Sequence, residues 1–371
     1  MTRKILSNNT PILWLPFALA NEDNICTTEG LECLLLLATI HMNEGALKKA
    51  WMTFRRALDA GRLLGINNCF ASSTHNSESL DMSLRRRLWL STIMGHCFCS
   101  LLLGLELEAN NDSLSSDYAW DDQPFDNELD FQRRLCIVSV QLSQRNTRGL
   151  QHNPEETRKI NMVLENLEHS MPENWWQKPE MSQERSVYCA NEYDRLLCHL
   201  WFFQVQILVN VPFLFESSDE AHSSRDRCLE AARTTIYRYL GLRLSGNIQP
   251  HCRVTEIAIF LASLVLVLRS GRRTSSDIAL VEQVIDSTSS LGKSSIREHV
   301  AKKSAEVLTL LLKRRTETDS LEDCLREDIF TPAALHPASD TLTTSWHEDL
   351  MASLRRTLEQ YPESRVLDPI L

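Results

Sequence analysis

Helical spacing of apolar side chains, sustained along almost the whole chain, is the sequence feature that most restricts the fold. Between residues 44 and 64, apolar or small side chains recur three or four positions apart, at Leu47, Ala50, Trp51, Phe54, Ala57, Leu58, Gly61 and Leu64. This spacing puts them on one buried helix face, opposite a face of lysines and arginines. We expect Asn43 to cap the start of this helix. Gly65 suits its end, because glycine adopts a positive φ angle without a steric penalty.

The same periodicity predicts helices over residues 30–42, 84–103, 127–144, 153–170, 184–211, 219–242, 251–269, 277–291 and 296–314. The helix at 153 has a clear start signal, with a capping Asn153, Pro154 in the first turn and Glu156 three residues after the cap. No window alternates like a strand. Only eleven glycines and twelve prolines occur in 371 residues, which agrees with a mostly helical chain. We therefore predict an all-α fold, with stacked antiparallel helices in one extended helical array.

The composition of the loops predicts that the chain is divided into three segments. Residues 1–27 form a partly irregular N-terminal segment, 28–318 form the helical body, and 319–371 form a connector and a terminal helix over 346–361. Serine, asparagine and proline mark loops at 69–79, 171–182 and 320–345. The loop at 110–127 is acidic and aromatic.

Compartment and membrane contact are constrained by cysteine use and by the apolar segments. Eleven cysteines with no CxxC pair indicate a reducing compartment such as the cytosol or nucleus. Residues 1–20 are too interrupted by polar residues and prolines for an export signal. Residues 196–215 are long enough to span a bilayer, but their polar side chains, His199, Gln204, Gln206 and Asn210, favour a buried core helix. We expect no membrane contact.

An acidic cluster is the strongest sequence lead toward an enzyme. Asp121, Asp122 and Asp126 resemble the aspartate motif of terpene cyclases, in which carboxylates share Mg²⁺ ions that bind a diphosphate. Pro124 interrupts the helix that this spacing requires. The partner motif is also incomplete, because Ala119 stands where a glutamate is needed. An acidic surface loop is the favoured interpretation, and an Mg²⁺-dependent diphosphate enzyme is the alternative.

Other chemically interesting residues have simpler structural explanations. Cys97 and Cys99 point in different directions on an apolar helix, so we interpret them as core thiols. Trp51, Trp89 and Trp201 are interpreted as core anchors, although packed aromatic helices can also enclose a small-molecule effector. The basic triplets at 85–87 and 313–315 are typical of solvated helix ends, and a net charge of −10 disfavours nucleic-acid binding by the chain alone. We assign no catalytic, cofactor-binding or metal-ligating residue and expect no enzymatic activity or cofactor.

The order of several features resembles the fungal-specific transcription factor domain, the middle homology region of fungal Zn₂Cys₆ regulators. Residues 32–67 resemble its opening helices, and 85–104 (RRRLWLSTIMGHCFCSLLLG) its basic run followed by Leu-Trp and a later Leu-Gly. The acidic loop ending at Pro124 is similar to its Asp-rich segment. Residues 196–215, ending in Pro-Phe-Leu, and 228–239 (CLEAARTTIYRY) are similar to its later helices. The resemblance covers roughly residues 28–270.

Departures from that family define what the resemblance implies. His96 and Cys97 stand where the family usually has Asp-Arg, and Leu105 and Glu106 where it has Arg-Pro. The family reads DNA through a six-cysteine cluster with two zinc ions, whereas only Cys26 and Cys33 precede residue 69 here. The resemblance therefore implies a nuclear transcription regulator whose domain over 28–318 acts through protein partners or a DNA-binding regulator. DNA would be contacted only indirectly, and zinc would not be bound.

Overall fold

The all-α prediction is confirmed by the computed structural model of the protein. It describes residues 22–43, 46–70, 80–107, 127–179, 186–214, 216, 218–244, 253–269, 274–289 and 304–313, and all regular structure in these ranges is helical. The chain divides into two compact units, Met1–Ser143 and Gln144–Leu371. The segment boundaries at 27/28 and 318/319 stay a prediction, and 1–21 and 314–371 lie outside the described residues.

The first unit is built from helices that pack in chain order. These are α1 (Glu22–Ile25), α2 (Thr28–Asn43), α3 (Leu47–Leu63), α4 (Leu80–Leu103) and the first part of α5 (Asn127–Thr147), with a 3-10 turn at Ile66–Phe70. The main contacts are between α2 and α3 and between α3 and α4. Only residues 44–46 connect α2 to α3, and such a short link between two packed helices requires them to run antiparallel.

The α3–α4 interface is closely packed around glycines. An ideal Cβ atom at Gly61 would lie 2.8 Å from the ring of Trp89, and one at Gly95 would lie 2.1 Å from the ring of Phe54. Trp51 donates its indole N–H to Ser100 Oγ at 2.9 Å. These contacts fix an antiparallel register in which Gly61, near the end of α3, is level with Trp89 in the third turn of α4.

The second unit surrounds a very apolar helix. Its helices are α6 (Pro154–Ser170), α7 (Val187–Asn210), α8 (Asp219–Leu244), α9 (Arg253–Leu268), α10 (Ser275–Ser289) and a helical segment over 304–313, here α11, with 3-10 turns at Glu173–Trp176 and Val211–Phe213. Helix α8 packs along α7 and α9, and α9 also contacts α7 and α10. Every residue of α9 from Ile257 to Val267 is buried, so this helix forms the centre of the unit.

One described stretch, Val187–Phe213, has the length and composition of a membrane-spanning helix, and 83% of its apolar window is buried inside the protein. This burial supports the expected core helix. The polar side chains that made a membrane span unfavourable in the sequence are here packed against other parts of the second unit, since His199, Gln204 and Asn210 are all buried.

Most helix ends lie within three residues of the prediction, but α4 begins at Leu80, four residues before its predicted start, and the predicted cap of α3 was wrong. Asn153 accepts hydrogen bonds from the backbone N–H groups of Glu155 and Glu156, and α6 ends at Ser170, both as expected. Gly65 has a φ angle of 65°. Asn43 does not cap α3; it is the last residue of α2, whose end is closed by a hydrogen bond from the Ala46 amide to the His41 carbonyl. The chain reversal after α2 therefore decides where α3 begins.

Candidate regulatory site

A pair of adjacent tryptophans folds back onto the helices of the second unit. Trp175 and Trp176 lie in the 3-10 turn that follows α6, with their rings in an edge contact at a centroid distance of 4.7 Å. Trp176 donates its indole N–H to the Glu168 carbonyl at 3.0 Å. Because this bond uses one of the carbonyls that α6 leaves without a helical partner, it holds the turn against the end of that helix.

A buried histidine and an arginine bind this turn to α7 and α8. Trp176 stacks on His199 of α7 at 5.2 Å between centroids, and Trp175 meets the same imidazole nearly at right angles. Arg238 of α8 lies 2.9 Å from His199 Nδ1 and also donates to the Trp176 carbonyl at 2.8 Å. Its guanidinium sits 5.3 Å from the centre of the Phe203 ring. We call these five residues the Trp–His–Arg cluster.

The protonation state of His199 follows from its partner. A guanidinium has only donors, so Nδ1 of His199 must accept the hydrogen bond and the neutral ring carries its proton on Nε2. Burial lowers the pKa of His199 to about 2, with Arg238 and Arg195 acting in the same direction and the Trp175 backbone against them. This imidazole stays neutral at physiological pH, so its Nδ1 acts as a hydrogen-bond acceptor for Arg238.

The guanidinium of Arg238 nevertheless keeps its charge. Burial lowers its pKa to about 10, with a further contribution from Arg195 and an opposing one from Glu168. Its guanidinium lies over the Phe203 ring, and the electron-rich face of that ring stabilises the charge. The half-buried charge of Arg238 therefore holds the Trp turn, α7 and α8 together.

A second buried charge network connects α8, α9 and α10. Asp277, only 1% exposed, accepts two hydrogen bonds from Arg233, at 2.7 and 3.0 Å, and a third from Arg269 at 3.0 Å. Burial raises the pKa of Asp277, but the hydrogen bonds from Arg233 and Thr274 and the charges of Arg233 and Arg269 outweigh it, and the pKa is lowered overall. This carboxylate stays ionised and joins the first turn of α10 to two other helices.

Two amide side chains and Arg145 of α5 form a polar network between α6 and α7. Asn161 and Asn210 exchange hydrogen bonds through their amide groups, at 2.8 and 3.0 Å. Arg145, 3% exposed, donates to Thr157 Oγ1 and to the Val209 carbonyl. These buried polar contacts specify one packing of the helices, because any other arrangement would strand a polar group away from water.

A shallow groove lies between α10 and α11. It has a volume of about 310 Å³, with an aliphatic floor and polar side chains around it, and is lined by Ile278, Glu282, Ile285, Asp286, Thr309, Leu312 and Lys313. This volume is at the lower end of the range of small-molecule sites, about 300–1,000 Å³. Within the described residues, no group of three His, Cys, Asp or Glu side chains is arranged to hold a metal ion.

The described part of the chain contains several of the residues that the sequence singled out. Cys97 and Cys99 are buried free thiols, as predicted. Trp89 and Trp201 are core anchors, whereas Trp51 is only half-buried. The triplet of Arg85, Arg86 and Arg87 lies in the second turn of α4 and not at its end, because this helix begins at Leu80. Arg87 is exposed, whereas Arg85 and Arg86 are half-buried, so the expected solvated helix end is only partly matched.

Other predicted sites lie outside the described residues. These include Asp121, Asp122 and Asp126, together with Arg314 and Arg315 of the triplet at 313–315. The diphosphate-enzyme alternative therefore stays a sequence-based hypothesis. The Trp–His–Arg cluster was not found by sequence reasoning, which placed the Trp pair in a loop, because no local pattern shows that Arg238 and His199 meet.

Comparison with known proteins relates the chain to fungal regulators of gene expression. The dehydrocurvularin biosynthesis regulator of Alternaria cinerariae is 26% identical over 315 residues, which are 79% of this chain and 40% of that protein. The transcription factor sdnS of Sordaria araneosa is 27% identical over 256 residues, 67% of this chain and 33% of that protein. The transcription factor eupR of a Phoma species is 23% identical over 214 residues. The chain is similar to fungal transcription regulators.

The extent of that similarity also has limits. The chain spans between about a third and less than a half of the length of these relatives. No protein-family model matches it. No solved structure matches it either. The relatives are named as regulators, so the comparison supports the coarser part of the expected function, a role in transcription regulation.

Proposed function

We propose that this chain is the regulatory part of a fungal Zn₂Cys₆-type transcription regulator, acting in the nucleus through partners that read DNA. One observation carries the proposal: two of the named regulators are similar to it over 67% and 79% of its length. The order of features from residue 28 to 270, which resembles the middle homology region, supports the finer assignment. A role as a non-enzymatic scaffold agrees with these names.

The geometry supports a domain whose helix packing has a small number of defined arrangements. Arg238, Asp277 and Arg145 each hold two or more segments through buried polar contacts. Such contacts are favourable only in matched geometry, so the helices shift together or not at all. A metabolite or protein that binds one arrangement more tightly would change its population, and with it the regulatory output. The groove between α10 and α11 is our proposed place for a small-molecule effector.

The test is chromatin association of the tagged full chain in its fungal host, with and without candidate DNA-binding partners. We expect nuclear accumulation, enrichment at a limited set of promoters, and loss of that enrichment when the partner is deleted. Transcripts from the same promoters should change when the chain itself is deleted. Absence of the protein from chromatin, together with an unchanged transcriptome in the deletion strain, would refute the proposal.

A further inference from the structure

The outer face of α3 combines exposed apolar side chains with an excess of positive charge. Met52 and Leu63 are 65% and 77% exposed, and among the large apolar residues that the structure describes as exposed only Val187 is comparable. They are eleven residues apart, about 16 Å along one face, because a helix rises about 1.5 Å per residue. Scattered single apolar residues need no explanation, but two on one helix face form a possible contact surface.

Basic residues flank this apolar line on both sides. Lys48, Arg55 and Arg62 recur every seven residues along one side, and Lys49 and Arg56 do so along the other. Helix α3 has five basic residues and only one acidic residue, Asp59, in a chain whose net charge is −10. The positive charge is therefore a local property of this face.

The core side of α3 keeps this face turned outward. Ala50, Phe54, Ala57, Leu58 and Gly61 are buried on the opposite side. The close approaches of Gly61 to Trp89 and of Gly95 to Phe54 leave no room for the helix to rotate about its axis. Met52 and Leu63 cannot reach the core without unpacking α3 from α4, so their exposure belongs to the folded state.

The packing of α3 on α4 brings three further arginines level with the end of α3. Because Gly61 faces Trp89, Arg62 is level with the turn of α4 that precedes Trp89, which contains Arg85, Arg86 and Arg87. Arg62 pairs with Asp59 at 3.1 Å, with the two side chains 35% and 60% exposed. Exposed ion pairs of this kind contribute little, so a carboxylate of a partner can replace Asp59 at small cost.

We propose that the outer face of α3, formed by Lys48, Lys49, Met52, Arg55, Arg56, Arg62 and Leu63, docks an acidic segment of a partner protein that carries apolar side chains. The inference rests on the proposed function and specifies the chemistry of one partner. Acidic residues of the segment pair with the two basic rows, and its apolar side chains cover Met52 and Leu63. A nucleic-acid backbone would satisfy the charges but leave both apolar side chains in water, so the protein segment fits better.

The binding test uses a fluorescein-labelled synthetic peptide, rich in glutamate and carrying two leucines, titrated with the full chain at low salt. A second peptide replaces both leucines by serine, and a random-sequence DNA duplex tests general attraction to polyanions. We expect the leucine peptide to bind at least about tenfold more tightly than the serine peptide, since burial of apolar groups and charge attraction both contribute. Binding of this peptide should weaken as salt is added.

Two variants with matched controls locate the site. Met52→Ser with Leu63→Ser should weaken leucine-peptide binding about tenfold, whereas Val187→Ser with Tyr188→Ser, an exposed apolar pair on α7, should leave it unchanged. Lys49→Gln with Arg56→Gln should weaken binding of the leucine peptide. The affinity of this variant should also depend less on the salt concentration. Arg158→Gln with Lys159→Gln, an exposed pair on α6, changes the net charge equally and should have no effect.

Several outcomes would overturn the inference. They are no detectable peptide binding, equal binding of the leucine and serine peptides, equal effects of the variants and their controls, or preferential binding of the DNA duplex. Chromatin association separates this inference from the proposed function. If the wild-type chain associates with chromatin and the Met52→Ser, Leu63→Ser variant does so equally, the docking surface fails while the proposed function stands.

Discussion

Three charged side chains of the second unit, of which Asp277 and Arg145 are buried and Arg238 is half-buried, each hold more than one segment. Arg238 joins α7, α8 and the Trp turn, Asp277 joins α8, α9 and α10, and Arg145 joins α5, α6 and α7. Removing the partner of a buried charge leaves it in a poorly polarisable interior, which costs far more than a surface ion pair. Single substitutions at these positions are therefore expected to act on whole helices.

The neutral state of His199 predicts a pH dependence of stability. In the unfolded chain this imidazole takes up a proton as the pH falls below about 6.5, whereas in the folded protein its pKa is about 2. Between these two pH values the unfolded state binds more protons than the folded state. The free energy of unfolding therefore has its full value above about pH 6.5 and decreases as the pH falls toward 2. At pH 5, protonation of His199 in the unfolded state lowers the free energy of unfolding by about 2 kcal/mol relative to neutral pH.

Urea unfolding at pH 7.5, 6 and 5 measures this effect, with His199→Gln as the comparison. Glutamine offers an acceptor oxygen to Arg238 but does not titrate, so the variant should lose less stability on acidification than the wild type. The comparison concerns the change with pH, because the substitution also alters packing at every pH. Identical pH dependence in the two proteins would contradict a neutral, buried His199.

Asp277 gives a second residue-scale prediction. Asp277→Asn removes the negative charge between Arg233 and Arg269 and leaves two guanidinium groups close together. We expect the free energy of unfolding to fall by about 3 kcal/mol, as for other broken buried ion pairs. Arg158→Gln removes an exposed i, i+3 pair and should change stability by less than about 0.5 kcal/mol. Comparable losses in both variants, measured by urea titration, would show that the Asp277 network contributes little.

At the scale of elements, the close contact between α3 and α4 depends on the absence of a side chain at Gly95. Alanine normally stabilises a helix relative to glycine by about 1 kcal/mol. At Gly95 the added Cβ atom would lie 2.1 Å from the Phe54 ring, so α3 and α4 would have to separate. We expect Gly95→Ala to destabilise the protein by about 2 kcal/mol, in spite of the gain in helix propensity.

Gly241→Ala in α8 is the matched control for this prediction. The atom nearest to its added Cβ is the end of the Lys178 side chain, which can move away easily. Gly241→Ala should therefore be neutral or slightly stabilising in thermal unfolding followed by circular dichroism. If Gly95→Ala raised the melting temperature as much as Gly241→Ala, the close packing of α3 on α4 would be wrong.

On the scale of the whole molecule, the relatives support a role in transcription regulation, and we propose that a partner reads the DNA. A net charge of −10 disfavours binding to a polyanion, which agrees with the proposed role for a DNA-reading partner. Fused to a heterologous DNA-binding domain, the chain should change transcription from a reporter that carries the matching operator. Such a fusion supplies the DNA reading and tests only the regulatory activity.

A core variant provides the control for the fusion experiment. Leu58 is 2% exposed in α3, and Leu58→Asp buries an unpaired charge and should abolish the reporter effect through unfolding. Lys159→Gln, on the exposed side of α6, should leave it intact. A reporter that responds equally to the wild type and to Leu58→Asp would show that the effect does not require the folded domain.

The sequence alone determined the fold class, most helix positions and the burial of several core side chains. These depend on side chains three or four residues apart and on caps such as Asn153, so the information is local. The wrong prediction at Asn43 shows the limit of local information. The reversal of the chain between α2 and α3, and not a capping side chain, decided where α3 begins.

Only the tertiary structure decided which polar side chains meet. His199 and Arg238 are 39 positions apart, and Arg233 and Asp277 are 44 apart, distances at which no helical periodicity applies. The outer face of α3 was visible as a basic pattern, but its fixed orientation depends on the close contacts of Gly61 and Gly95 with α4 and α3. Contacts of this kind come from the way whole helices pack, since each helix alone is compatible with many partners.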